Sequence, residues 1–183
     1  IAGLLNIKAV NMMTGLGTIF VKKNYLTLIV ILLYRISFVN VYRVIFQNVD
    51  DKKFFNKLKI VNKKKSILSP GSGVDLNFFK FKKNIFKKKT KFLFLGRLLK
   101  EKGTLEFIKA VKKFNKLKLN CEFQIVGNID KKNPASITLN ELNSFKKLNN
   151  SKYKNFSSDV KQCIKWANCV VLPSYREGTP RSL

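Results

Sequence analysis

The sequence predicts an α/β fold built on parallel β-sheets, and three observations support this class. Strand-like apolar runs alternate along the chain with stretches whose apolar residues recur at helical spacing. These runs are apolar throughout, which is typical of strands covered by helices on both faces. With 183 residues, of which 45% are hydrophobic and 16 are Phe, the chain can bury the core of one domain and part of another. We therefore expect doubly wound parallel sheets.

The part of the chain before residue 78 contains three strand-like runs and one strongly apolar stretch. The strands are predicted at residues 7–13, 41–47 and 65–68. Asn48 and Asp50 follow the second strand and can cap a helix. The apolar stretch at residues 25–34 is far shorter than the roughly 20 residues that span a bilayer. Because Arg35 ends it, we expect a buried or interfacial helix.

The part after residue 90 shows the alternation most clearly. Its predicted strands are residues 92–95, 122–127 and 169–172, and its predicted helices are residues 104–117, 137–148 and 159–167. Thr104 is the predicted N-cap of the first of these helices. The charge-rich residues 82–91 read as a surface linker, so we place a domain boundary within residues 76–90. Residues 1–78 are assigned to one domain and residues 79–183 to the second.

The net charge of +27, without any His, has three explanations. The excess is mostly Lys, and Asn, Ile and Phe are also frequent, so a bias toward A/T-rich codons explains it most simply. An anionic membrane surface is the next explanation. Nucleic acid is the least favoured, because its readers rely on Arg and the basic residues here are spread along the chain.

The residues that usually mark a metal or a catalytic triad are missing from the sequence. Three Cys without a CxxC pair and without His favour neither a disulfide framework nor a zinc site, so we expect reduced, mostly buried thiols in a cytoplasmic protein. The sequence contains no Ser/His/Asp or Cys/His set, no paired carboxylates and no Walker loop.

Ligands of doubly wound sheets bind at the carboxyl ends of the strands, and that rule selects four places. After the strand at 92–95, Gly96 allows a close turn, and Arg97 and Lys102 lie beside a helix start. Two cations and a helix N-terminus suit a diphosphate. The alternative explanation is that Arg97 and Lys102 are two more solvent-exposed basic residues in a basic protein. Two further places are the loop after Gly127 and the turn after Phe156.

The fourth place follows the strand at 169–172 and contains Glu177, one of only ten acidic residues in the chain. Its carboxylate in the turn "REGTP" can accept hydrogen bonds from ligand hydroxyls. A helix cap or a salt bridge explains the same residue equally well.

Several motifs together resemble glycosyltransferase family 4, which has the GT-B fold. The segments "FLFLGRLLKEKGTLEFIKAV", "FQIVG" and "CVVLPSYREGTPRSL" are similar to its C-terminal domain. The earlier segments "MMTGLGTIF", "VIFQNVDD" and "ILSPGSGVD" are similar to the subgroup that acts in bacterial polysaccharide and glycan assembly. The resemblance implies two Rossmann-like domains, the first represented by its last part and the second nearly complete.

The resemblance also implies roles for particular residues. Arg97 and Lys102 match the basic pair that binds the donor diphosphate, and Glu177 matches the first Glu of an E-x7-E motif that contacts the donor sugar. These three are the predicted catalytic residues, for a retaining transfer without a metal or other cofactor. The predicted donor-binding set is Gly96, Arg97, Lys102, Gly127, Glu177, Gly178, Thr179 and Arg181.

Three departures from the family pattern limit this transfer of roles. The second Glu of the motif would fall two residues past Leu183, and Pro180 stands where many members have Gly. Most of the acceptor-binding domain is also missing. The sequence therefore reads as an internal fragment, and we expect it to be inactive by itself.

The resulting prediction is a retaining glycosyltransferase that takes its sugar from a UDP-linked donor. The expected sugar is an N-acetylhexosamine or a hexose, and the expected acceptor is a glycan or a polyprenyl-diphosphate-linked lipid. The expected location is the cytoplasm, with peripheral contact to the anionic inner membrane surface. The alternative is a basic membrane- or nucleic-acid-binding module without catalytic activity.

Overall fold

The computed structural model describes residues 2, 5–16, 20, 25–81, 89–156 and 159–180. These residues form two compact units. The first unit runs to Val74 and also includes residues 177–180, and the second is Asp75–Arg176. Most of the predicted linker, residues 82–88, lies outside the described residues. The predicted assignment of acceptor and donor roles to residues 1–78 and 79–183 stays a prediction.

The first unit is a three-stranded parallel sheet with two crossover helices. Its elements are β1 (Val10–Met13), α1 (Tyr25–Phe38), β2 (Arg43–Phe46), α2 (Val49–Lys57) and β3 (Ser66–Leu68). The strand order is β1-β2-β3, and Met13 pairs with Phe46, which pairs with Leu68. All three strands therefore end at one edge of the sheet, and the loops that follow them are neighbours.

The core of the first unit lies between the sheet and its two helices. The fully buried ring of Phe55 on α2 contacts the rings of Tyr34 and Phe38 on α1 and of Phe46 on β2. As the sequence predicted, Asn48 caps α2, because its Oδ1 accepts a hydrogen bond from the backbone N–H of Asp51 at 2.7 Å.

The second unit is a four-stranded parallel sheet of doubly wound type. Its elements are β4 (Thr90–Leu95), α3 (Thr104–Lys116), β5 (Cys121–Val126), α4 (Leu139–Lys146), β6 (Ser151–Lys154), α5 (Val160–Trp166) and β7 (Cys169–Val170). The strand order is β6-β5-β4-β7, so the direction of winding reverses between β4 and β7. The predicted α/β class with Rossmann-like parallel sheets is confirmed.

Helices cover both faces of this second sheet. Phe94 and Ile125 point into a core with α3 and α4, whereas Leu93 and Val126 point into a second core with α5. This two-sided burial explains why the strands are apolar without alternation. Among the described residues, the first sheet carries helices on one face only. On its other face Met12 is 51% exposed and Ile67 is 42% exposed.

Two local predictions need correction. Thr104 is not the N-cap of α3: Gly103 holds that position, and the Thr104 hydroxyl donates instead to the carbonyl oxygen of Leu99 at 2.9 Å. The strand β6 was not predicted, because its sequence "SKYK" has no apolar run. Among the cysteines, Cys121 and Cys163 are buried and Cys169 is exposed.

None of the helices in the described ranges is long and apolar enough to cross a membrane. The apolar helix α1 has 14 residues, extending the predicted stretch to Phe38.

Candidate functional site

The reversal between β4 and β7 defines a crevice at the carboxyl edge of the second sheet. The chain leaves β4 at Leu95 and β7 at Val170 on neighbouring strands. Val171 continues the pairing, since its N–H donates to the carbonyl oxygen of Leu93 at 2.8 Å. In open parallel sheets such a topological switch point is where ligands bind.

The loop after β4 presents two cations beside a helix start. Arg97 is exposed, and Lys102 is half-buried at the end of a short 3-10 turn, Lys100–Lys102. Gly103, at a φ of 73°, then redirects the chain into α3. The N-terminal turn of α3 adds partial positive charge to that of the two side chains, so this loop favours an anion.

A second loop holds the backbone of this basic loop in place. The N–H of Lys100 donates to the carbonyl oxygen of Ala135 at 2.8 Å, and the N–H of Ile137 donates to that of Leu98 at 2.9 Å. Leu98 is fully buried between them. Because the backbone is fixed on both sides, Arg97 and Lys102 project from a rigid base.

The segment after β7 is also fixed to the start of α3. A Cβ atom at Gly103 would overlap the carbonyl group of Pro173, so the two backbones lie in close contact. The N–H of Tyr175 donates to the carbonyl oxygen of Glu101 at 3.0 Å, and its hydroxyl donates to Oε1 of Glu106 at 2.8 Å. The hydrogen bond to Glu106 raises the pKa of Tyr175.

Gly127 has a packing role that the sequence did not reveal. A Cβ atom there would overlap the carbonyl oxygen of Gly96 on the neighbouring strand end. At Gly96 the corresponding space is open: among the described residues, apart from its two chain neighbours, no heavy atom lies within 4 Å of the position that a Cβ atom would take. Gly127 therefore lets the two strand ends approach each other, and Gly96 leaves open space beside Arg97.

Residues 177–180 pack with the loops of the first unit. Nδ2 of Asn48 donates a hydrogen bond to the backbone carbonyl oxygen of Glu177 at 3.1 Å. The hydroxyl of Thr179 donates one to the backbone carbonyl oxygen of Gln47 at 2.7 Å. A Cβ atom at Gly178 would overlap the carbonyl oxygen of Thr14. The loops that follow β1 and β2 thus hold the segment that carries Glu177.

The structure therefore divides the predicted site residues into two groups. Gly96, Arg97 and Lys102 share one loop of the second unit, with Gly127 behind them. Glu177, Gly178 and Thr179 belong to the first unit, while Arg181 lies outside the described residues. Sequence reasoning did not assign Gln47, Glu106 or Tyr175 to the site, and it predicted Asn48 only as a helix cap. Their contacts connect distant parts of the chain and leave no local pattern.

The α/β fold with parallel sheets is that of the GT-B class of glycosyltransferases, as its similarity to the solved structures of HepE and TarM shows. The chain belongs to the family "glycosyl transferases group 1", whose model matches residues 75–183. Membership of the narrower family 4 remains a prediction.

Two curated proteins are similar in sequence. One is the N,N'-diacetylbacillosaminyl-diphospho-undecaprenol alpha-1,3-N-acetylgalactosaminyltransferase of Campylobacter jejuni, which is 29% identical over 187 residues. The match covers 92% of this chain and 47% of that enzyme, so the chain spans about half the length of its relative. The other is an uncharacterized glycosyltransferase of Methanocaldococcus jannaschii, 30% identical over 102 residues, covering 55% of this chain and 24% of that protein.

Two solved structures share the fold at low sequence identity. The crystal structure of Anabaena Alr3699/HepE in complex with UDP and glucose superimposes with a TM-score of 0.63 at 13% identity. The crystal structure of TarM superimposes with a TM-score of 0.62 at 15% identity. Each covers 94% of this chain, which corresponds to 48% of the HepE chain and 33% of the TarM chain.

Proposed function

We propose that this chain supplies the donor-binding part of a glycosyltransferase that uses a UDP-linked sugar. The observation that carries the proposal is the basic loop at the switch point of the second sheet. Arg97 and Lys102 stand there beside the N-terminus of α3, on a backbone held by hydrogen bonds to a second loop. Such an arrangement fits a diphosphate better than it fits a neutral ligand.

The proposed reaction breaks the bond between the anomeric carbon of the donor sugar and the diphosphate oxygen. The diphosphate leaves with the electron pair, an acceptor hydroxyl forms the new bond to the same carbon, and the proton of that hydroxyl passes to the leaving diphosphate oxygen. Negative charge grows on the leaving oxygens, and Arg97 and Lys102 stabilise it more strongly in the transition state than in the bound donor. In this proposal the two cations act without a metal, and the anomeric configuration is retained.

Glu177 is proposed to bind hydroxyl groups of the donor sugar. Asn48 holds its backbone carbonyl, so the side chain starts from a fixed position. Gly96 lets the diphosphate approach the backbone closely, and Gly178 and Thr179 shape the segment around Glu177. Gly127 and Arg181 complete the proposed donor-binding set.

The proposed acceptor is a lipid-linked glycan, and the proposed sugar is an N-acetylhexosamine or a hexose. The name of the Campylobacter jejuni relative supports both, since that enzyme transfers N-acetylgalactosamine to an undecaprenol-linked acceptor. An acceptor of this kind lies in a membrane, so we include a cytoplasmic location with peripheral contact to the inner membrane surface in the proposal.

The test is a transfer assay on the full-length protein with UDP-N-acetylhexosamines and a polyprenyl-diphosphate-linked acceptor. Arg97→Ala, Lys102→Ala and Glu177→Ala are each expected to lower kcat/KM by about 100-fold or more. Lys100→Ala is the matched control, because Lys100 is an exposed base in the same 3-10 turn. Equal activity of Arg97→Ala and Lys100→Ala would contradict the site. The anomeric configuration of the product, read by NMR, tests retention.

A further inference from the structure

We propose that the outer face of α1, together with lysines near its C-terminal end, is a docking surface for an anionic lipid bilayer. This inference rests on the membrane contact included in the proposed function and assigns it a surface, but it uses none of the residues assigned to the donor. Its test measures binding to vesicles and needs no turnover.

The helix α1 is apolar on two opposite faces. Its inner face packs in the core of the first unit through Val30, Ile31, Tyr34 and Phe38. Its outer face is also apolar and is exposed: Leu28 is 69% exposed, Leu32 56% and Ile36 63%. A helix of a soluble surface normally carries polar residues on the side away from the core.

The outer face forms a continuous stripe. Its exposed apolar side chains recur every three or four positions along the helix and are Tyr25, Leu26, Leu28, Ile29, Leu32, Leu33 and Ile36. Val39 extends the stripe just past the last turn and is 65% exposed. A stripe of this length is larger than the scattered apolar residues found on ordinary protein surfaces.

A group of lysines lies beside the C-terminal end of this stripe. The lysine cluster consists of Lys53, Lys57, Lys59, Lys63 and Lys64, which line an open cleft of about 960 Å³. Nη2 of Arg35 on α1 donates to the carbonyl oxygen of Leu58 at 2.6 Å, between Lys57 and Lys59. Nζ of Lys65 donates to the carbonyl oxygen of Val39 at 3.0 Å. Both bonds join the end of α1 to the segment that carries the cluster.

The charge of the lysine cluster decides which partner fits. Within the described part of the chain, no carboxylate lies within salt-bridge distance of its five ammonium groups. An apolar stripe bordered by uncompensated positive charge matches the lipid–water boundary of an anionic membrane, where acyl chains and phosphates lie side by side. A polyanion such as RNA would leave the apolar stripe unused.

The length of α1 fixes how it would meet the membrane. Its 14 residues are too few to span the hydrocarbon core. Its inner face is occupied by the protein core, so only the outer face can enter the lipid. The helix therefore lies along the interface, with the lysine cluster at the level of the headgroups.

The test is sedimentation of the full-length protein with vesicles of phosphatidylglycerol and phosphatidylcholine, compared with phosphatidylcholine alone. We expect binding to the anionic vesicles and much weaker binding to the neutral ones. Leu32→Glu should weaken binding at least about tenfold, because a charge would enter the apolar boundary. Replacing Lys57, Lys59 and Lys63 together by Gln should weaken it about 100-fold.

Two matched controls separate the surface from the overall composition of the chain. Replacing Lys109, Lys112 and Lys116 on α3 by Gln removes the same charge from the other unit, and Leu139→Glu changes an exposed leucine on α4. Both should bind vesicles nearly as the wild type does. Equal losses from the two lysine triples would overturn the proposal, since net charge alone would then explain binding.

Three further results would overturn the proposal. One is unchanged binding by Leu32→Glu. The second is a large loss of thermal stability in Leu32→Glu, which would mean that protein covers the stripe in the full-length molecule. The third is that the wild type forms a dimer and that Leu32→Glu dissociates this dimer without changing vesicle binding. Donor hydrolysis measured in detergent reports on the proposed function separately, and we expect it to be unaffected by Leu32→Glu.

Discussion

The side-chain amide of Asn48 donates a hydrogen bond to the backbone carbonyl oxygen of Glu177 at 3.1 Å, across 129 positions of sequence. The other end of the same side chain caps α2. One residue therefore both starts a helix and fixes the segment of the predicted sugar-binding glutamate. These two tasks can be separated by mutation.

Asn48→Ser keeps an oxygen that can cap α2 but removes the amide donor. We expect the melting temperature to fall only slightly: Ser is as good an N-cap as Asn, but the amide bond to the buried carboxylate of Asp51 (3.0 Å) is lost as well. The donor KM should rise between about twofold and tenfold, which corresponds to one lost hydrogen bond. Asn48→Ala removes both the cap of α2 and the hydrogen bond to Glu177, so it should also lower the free energy of unfolding by about 1 kcal/mol. An unchanged donor KM in Asn48→Ser would show that the bond to Glu177 does not position the site.

Gly103→Ala should strongly destabilise the second unit. Its φ of 73° is strained for alanine, and the new methyl group would overlap Pro173. We expect a loss of more than about 2 kcal/mol in urea unfolding. Gly73→Ala is the control, since its φ of 68° is similar and no atom in the described part of the chain lies within 4 Å of its Cβ position. It should lose only about 1 kcal/mol, and equal losses would mean that the contact with Pro173 contributes nothing.

Gly96 and Gly127 should respond differently to the same substitution. Gly127→Ala should lower stability, because its methyl group would overlap the carbonyl oxygen of Gly96. Gly96→Ala should leave stability unchanged, because its Cβ position is open. It should instead weaken UDP binding by about tenfold or more, since the methyl group would occupy the space proposed for the diphosphate. Calorimetric titration with UDP and a thermal melt of each variant check both statements.

The capping box of α4 predicts a pH dependence of stability. The carboxylate of Glu141 accepts a hydrogen bond from the backbone N–H of Thr138, which holds the pKa of Glu141 below its ordinary value of 4.5. A lowered pKa in the folded state means stability that is present above pH 4.5 and is lost as the pH falls through the folded pKa. Because the group is exposed, we expect a change below about 1 kcal/mol.

Glu141→Gln is the variant that checks this dependence. Its free energy of unfolding should fall less steeply than that of the wild type when the pH is lowered below 5 or so. Urea melts at several pH values supply the measurement. Identical slopes for the two proteins would remove Glu141 as a source of acid sensitivity.

Local patterns predicted most of the fold. The apolar runs located six of the seven strands, and Asn48 was predicted, together with Asp50, as a possible helix cap after the second strand. Thr104 was assigned as a cap on the same reasoning and the assignment was wrong. Gly103 has a positive φ, which ends the preceding 3-10 turn. Gly103 is therefore the N-cap of α3, one residue before the predicted position.

The candidate site was predictable only in part. Arg97 and Lys102 follow a strand and precede a helix, so their neighbourhood could be predicted from the strand-end rule. The contacts of Tyr175 with Glu101 and Glu106, and of Asn48 with Glu177, join residues far apart in sequence. No periodicity or local motif reports such pairs, because they depend on the strand order of each sheet.

The lysine-rich composition shows the same limit. From the sequence, codon bias explained the charge most simply, and Lys102 was the only lysine assigned to a site. The structure distinguishes Lys102, at the start of α3, and the lysine cluster near α1 from lysines on open helix faces. Position in the fold, and not their number, gives these residues their proposed roles.

Equilibrium titration of UDP and of uridine into the full-length protein tests the proposed diphosphate site most directly. The wild type should bind UDP far more tightly than uridine, because only UDP carries the diphosphate that Arg97 and Lys102 are proposed to hold. Arg97→Ala should reduce UDP affinity by about 10- to 150-fold while leaving uridine binding unchanged, and Lys100→Ala should behave as the wild type. Equal UDP affinities for Arg97→Ala and Lys100→Ala would contradict the account.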